Sequence, residues 1–73
     1  MSDNTYRVVE IVGTSPVSIA EAIKNGIARA SETLQELDWF EVTQTRGHIE
    51  NGEVAHFQVY LKVGFKIVGS GSA

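Results

Sequence analysis

The sequence predicts an α+β fold. It reads as a βαββ chain whose three strands form one antiparallel sheet in the order 1-3-2, with a single helix packed on it. Three observations lead there. A stripe of apolar residues at helical period follows a β-branched run and precedes two strand-like runs. Asn51-Gly52 separates those two runs, and this dipeptide is a strong signal for a two-residue type I′ turn. The helix returns the chain, so the first and second strands run the same way and the third runs against both. A wholly antiparallel sheet then puts the third strand in the middle.

The first strand is expected from Tyr6 to Val12, where Val8, Val9, Ile11 and Val12 are β-branched. Gly13-Thr14-Ser15-Pro16 is expected to break it. Two helix starts compete. Ser15 can cap with Pro16 at the first helical position. Ser18 can cap with Glu21 three residues on, a capping-box spacing. The helix is expected to run to about Leu37, because Ile19, Ile23, Ile27, Ala30, Leu34 and Leu37 make one stripe. Gly26 beside that stripe predicts a close approach to another backbone.

The second strand is expected from Trp39 to Ile49 and the third from Val54 to Ile67. In the third, Ala55, Phe57, Val59, Leu61, Val63, Phe65 and Ile67 alternate with His56, Gln58, Tyr60, Lys62, Gly64 and Lys66. That is a half-buried strand with its odd positions on the helix. A tight turn at Asn51-Gly52 pairs Glu50 with Glu53. An unbroken register then sets Thr45 opposite Gln58, Thr43 opposite Tyr60, Glu41 opposite Lys62 and Trp39 opposite Gly64, all on the face away from the helix. The same register puts Arg46 on the helix side, and it puts His48 and His56 on opposite faces. Residues 1–68 form one domain in this reading, and Gly69-Ser70-Gly71-Ser72-Ala73 is a flexible, linker-like tail.

A chain of 73 residues is near the size at which one core barely outweighs chain entropy. It has no cysteine, so disulfides and thiolate metal sites are excluded as staples, and association with further copies is the expected substitute. The formal charge is -3 and the six Lys and Arg residues are scattered, which argues against nucleic acid as a partner. No apolar run approaches the roughly 18 residues that span a bilayer, and no signal peptide opens the chain, so no membrane partner and a cytoplasmic location are expected. Lengths point the same way as size. A helix over residues 18–37 reaches roughly 30 Å. The third strand reaches roughly 40 Å. The apolar surface left uncovered should meet other subunits.

Trp39 is the only tryptophan and opens a strand directly after the helix. With Gln58 on the same face, its indole offers a stacking surface for a planar heteroaromatic ligand, and the amide can read a ring edge bearing C=O and N–H. The plainer role of Trp39 is packing in a core or an interface. Arg46 reads first as a partner for a glutamate and second as a bidentate holder of phosphate. Thr45 stands beside it and faces Gln58. No serine elbow, metal-ligand spacing or carboxylate pair supports catalysis, so an enzyme is not expected. Gly13-Thr14-Ser15 lacks a phosphate-loop pattern and reads as turn and cap.

The segments Val8-Val9-Glu10-Ile11-Val12-Gly13-Thr14-Ser15, Leu37-Asp38-Trp39-Phe40-Glu41-Val42, Arg46-Gly47-His48 and His56-Phe57-Gln58-Val59 resemble the dodecins, most closely the actinobacterial type. The resemblance covers nearly all of Tyr6 to Ile67, in order. It implies a flavin-binding protein that assembles as a hollow shell of twelve copies, with paired flavins held between tryptophans of neighbouring subunits. Trp39 matches the stacking tryptophan, Gln58 the glutamine at the polar edge of the ring, and Arg46 the arginine near the ligand. FMN or riboflavin is the implied cofactor, with FAD as a variant. Coenzyme A is a second ligand the resemblance brings with it; Lys66 stands where some bacterial relatives carry Arg. The implied function is flavin storage or buffering, with quenching of the stacked flavin and hence photoprotection. The alternative is a non-catalytic assembly or regulatory module in which Trp39 anchors an interface.

Overall fold

A strand that meets a helix at two glycines sets the architecture. The computed structural model describes residues 5–67. It contains β1 (Tyr6–Ser15), α1 (Ile19–Ala30), β2 (Leu37–Glu50) and β3 (Glu53–Lys66). The sheet order is β1-β3-β2, and both pairings are antiparallel. Chain order and sheet order are those expected. The tail assigned to residues 69–73 lies outside the described residues.

β1 continues three residues past its expected end. Gly13, Thr14 and Ser15 pair with Val59, Gln58 and Phe57 of β3. Gly13 does not break the strand. It is the point where α1 crosses it: a Cβ there would run into the Ala22 carbonyl and lie 3.2 Å from the Gly26 Cα. Gly26 therefore makes the close approach predicted for it, against β1. Ser18 wins the competition to cap α1, its hydroxyl accepting from the Glu21 amide at 3.0 Å. Ser15 stays in the strand, buried, and its hydroxyl accepts from the Val17 amide at 2.9 Å.

α1 ends at Ala30, seven residues before Leu37. The Ser31 hydroxyl donates back to the Ala28 carbonyl at 2.8 Å. The amides of Glu32 and Thr33 then bond three residues back, at 3.1 and 3.2 Å, so the last turn tightens. Glu36 takes a positive φ of 61° and redirects the chain into β2. Leu37 keeps the spacing of the helical stripe but serves the same core from a strand, opposite Phe65.

The core is Ala22, Val59, Leu61 and Val63, with Val9, Ile11, Ile23, Ile27 and Leu37 packed around it. It is small because α1 is short. Twelve helical residues reach about 18 Å. The 14-residue strands of the hairpin reach about 46 Å. The whole unit measures 56 × 20 × 14 Å. No residue of β2 is buried, and Phe40, Val42, Ile49 and Val54 are each more than 40 % exposed.

The hairpin register departs from an unbroken ladder and then returns to it. Asn51 and Gly52 both take positive φ, 52° and 78°, as a type I′ turn requires. Glu50 pairs with Glu53 and Ile49 with Val54, as expected. Ala55 is then passed over, and His48 pairs with His56. The slip persists through Arg46–Gln58, Thr45–Val59 and Gln44–Tyr60. Thr43 is passed over next, which restores Val42–Leu61, Glu41–Lys62 and Trp39–Gly64. Two bulges on opposite strands cancel, and the Thr43 hydroxyl donates to the Tyr60 carbonyl at 3.2 Å at the second of them.

A slip of one residue exchanges the two faces of the strand segment that carries it. Arg46, expected on the helix side, lies on the outer face beside Gln58. Thr45, expected opposite Gln58, pairs with Val59 on the helix side. Thr43 faces no single partner. His48 and His56, expected on opposite faces, share the outer one.

Candidate functional site

The outer face of the sheet has two separated polar-aromatic ends. At one end Trp39 lies across the backbone of Gly64. A Cβ on Gly64 would strike Cε2 and Cζ2 of the indole, so the missing side chain is what lets the ring lie flat. Room opposite the indole was expected there, and it is filled by the indole itself. Tyr6, arriving from β1, sets its ring 6.5 Å from that of Trp39 at an angle of 53°. One side of the indole is thus held by the sheet, and Trp39 remains 42 % exposed.

At the other end Gln58 is half-buried in the central strand, between Thr14 of β1 and Arg46 of β2. Arg46 does not make the glutamate pair first read for it. Its Nη1 donates to the Tyr60 hydroxyl at 3.1 Å, and its Cζ stands 5.7 Å from the Tyr60 ring centroid. A phenol therefore steadies the guanidinium by hydrogen bond and cation–π contact without neutralising it. Among the described residues Arg29 pairs with Glu32 at 3.5 Å, and the His48 Nε2 lies 3.4 Å from a Glu50 oxygen; neither contact involves Arg46.

Trp39 and Gln58 share a face, as expected, but are not neighbours. Gly64, beneath the indole, is six residues from Gln58 along β3, which is about 20 Å of strand. A single three-ring heteroaromatic cannot touch both in one chain. Of the sequence-predicted site residues, Gln58 and Arg46 come together; Trp39 stands apart, and Thr45 faces the other side. Sequence reasoning missed Tyr60 as the group that holds Arg46 and Tyr6 as the wall of the indole. Period-two spacing from Gln58 could have found Tyr60. Tyr6 needed the β1–β3 register.

Among the described residues no group of three or more His, Cys, Asp or Glu side chains is placed to hold a metal ion. No described helix is long and apolar enough to cross a membrane.

Fold and surface together define a small α+β module with an uncovered sheet face that carries an indole platform at one end and an amide–guanidinium–phenol group at the other. The chain belongs to the dodecin family: the dodecin family model matches residues 5–68. It is 48% identical over 62 residues to a dodecin of Thermus thermophilus, a match covering 85% of this chain and 90% of that one. The structure of dodecin from Streptomyces coelicolor superposes with a TM-score of 0.91 at 60% identity, covering 96% of this chain and all of that one. The calcium dodecin of Mycobacterium tuberculosis shares the fold at a TM-score of 0.77 and 26% identity, covering 94% of this chain and 96% of that one.

Proposed function

We propose that this protein binds a flavin, FMN or riboflavin with FAD as a variant, and stores it in a quenched, stacked form within a shell of twelve copies. The observation that carries the reading is the Trp39 indole, laid flat on Gly64 with one side open. An open indole is a platform for a planar ring. Family membership supports the flavin as that ring. The separation of Trp39 from Gln58 supports a site completed between copies: the indole of one chain and the amide of another meet the same ligand. The short helix and the uncovered hairpin supply the apolar surface for such an assembly. No catalytic role is assigned to any residue. Coenzyme A as a second ligand rests on the family resemblance alone.

Assembly is tested by mass. Sedimentation at micromolar protein is expected to give a particle near twelve times the 8.0 kDa chain. A monomer or dimer would defeat a site shared between copies.

Arg46 adds a test of which part of the ligand lies near Gln58. Its guanidinium is fixed by Tyr60 and keeps its charge for an anionic ligand tail. Arg46→Ala is expected to weaken FMN more than riboflavin, and the difference should shrink as salt rises, because exposed charges are screened. Equal losses for both ligands, measured by titration, would assign Arg46 to structure.

A further inference from the structure

The face that carries Gln58 and Arg46 ends in a pair of histidines to which the proposed function gives no role. His48 and His56 are direct cross-strand partners next to the hairpin tip. Their rings are stacked, with centroids 5.3 Å apart and an interplanar angle of 22°. The His48 Nε2 lies 3.4 Å from Oε2 of Glu50, and Glu53 stands across the strands from Glu50. In the single chain the side chains of His48 and Glu50 are 51% and 66% exposed.

We propose that His48 and His56 form a two-imidazole chelate for a divalent transition-metal ion, with the Glu50 carboxylate beside it and water completing the coordination. The spacing suits the chemistry. A metal bound to a ring nitrogen at 2.0–2.1 Å stands about 3.2 Å from the ring centroid, so two imidazoles on one metal have centroids about 4.5–5.2 Å apart between square-planar and tetrahedral angles. The observed 5.3 Å lies just beyond the upper end of that range. Closing the chelate takes rotation about the terminal torsions of the two side chains, which are soft in histidine, with no movement of backbone. A carboxylate near a ligating imidazole orients the ring and strengthens it as a donor. The donor set selects the ion: imidazole favours zinc, nickel and copper, whereas calcium requires a cage of oxygens. The pairing exists only because Ala55 is passed over in the ladder; an unbroken register would put the two rings on opposite faces.

The test uses the whole assembled protein without a polyhistidine tag. Zinc alone is titrated calorimetrically into the parent, His48→Gln and His56→Gln, with particle mass followed in parallel. Expected is one zinc site per chain in the parent, binding at least about tenfold weaker in either variant, and no heat with calcium. Parent and His48→Gln binding zinc alike would overturn the proposal, as would zinc binding displaced by calcium. His48 is half-exposed in the single chain, so its variant should fold, and particle mass reads its assembly. If His56→Gln does not, copper(II) bound to the parent still decides: splitting from two imidazole nitrogens in its paramagnetic resonance spectrum supports the chelate, and splitting from one or none overturns it. Flavin-free protein serves for every arm, so the outcome is separate from that of the flavin reading.

Discussion

Trp39→Ala is expected to lower flavin affinity by more than tenfold and to restore fluorescence to whatever flavin still binds. Stacking contributes roughly 0.5–1.5 kcal/mol beyond area burial for an ordinary aromatic pair. Removing the indole also returns apolar ring surface to water, at about 25 cal/mol per Å². The sum exceeds the roughly 1.4 kcal/mol that corresponds to tenfold. In the proposed stack the same indole would donate the electron that quenches the excited flavin, so affinity and darkness should be lost together. Gln58→Ala separates the two effects. It would remove the hydrogen bonds proposed for the polar ring edge, a loss of about 1–3 kcal/mol if a buried partner is left unpaired. The flavin that remains bound should stay dark, because the indole is intact. Titrations with fluorescence detection on both variants check this, with particle mass as a control. Unchanged flavin binding in Trp39→Ala, or collapse of its particle, would make Trp39 an interface anchor instead.

Gly13→Ala is expected to be the most damaging single methyl group that can be added to the fold. The new Cβ would meet the Ala22 carbonyl and lie 3.2 Å from the Gly26 Cα, and both are backbone atoms that no rotamer change can move. The helix would have to lift off the strand and open a core of four buried residues. Overpacking of this kind costs about 1–3 kcal/mol. In a domain of this length each kcal/mol lowers the melting temperature by roughly 4–8 °C. Gly47→Ala is the control. Its Cβ would lie 3.3 Å from the His56 carbonyl and 3.9 Å from a Val54 methyl, at the open end of the hairpin. A melting temperature for Gly13→Ala equal to that of Gly47→Ala would refute the close packing of α1 on β1.

Gly13 also shows where the sequence was legible and where it was not. Strand order, the Ser18 capping spacing, the Asn51-Gly52 turn and the core side of β3 follow from local rules and period-two alternation, and all are present. Gly13-Thr14-Ser15 looked like a strand terminator because glycine usually punctuates. Here the partner strand was still available, and the glycine answers to a helix one element away. Periodicity predicts a helix longer than Ile19–Ala30 because Leu34 and Leu37 keep its period, and periodicity alone cannot tell a helix from a turn that delivers a leucine to the same core. For the site, same-face placement of Trp39 and Gln58 was readable from the turn. Arg46, Thr45 and His48 of β2 change face together while His56 keeps the face expected for it, since a bulge leaves no signature in Ala55 or Thr43. The restored pairing of Trp39 with Gly64 was right because the second bulge undid the first. The distance between Trp39 and Gln58 was implicit in strand rise, and it keeps one planar ring from touching both residues of a single chain.

Titration of riboflavin with the purified protein, followed by flavin emission, tests that shared stacked site most directly. Emission should fall nearly to zero and level off at one flavin per chain, and the same particles diluted until they dissociate should release fluorescent ligand. Emission that is unchanged by the protein, or quenching that survives in the dissociated chain, would contradict a flavin held between Trp39 of one copy and Gln58 of another.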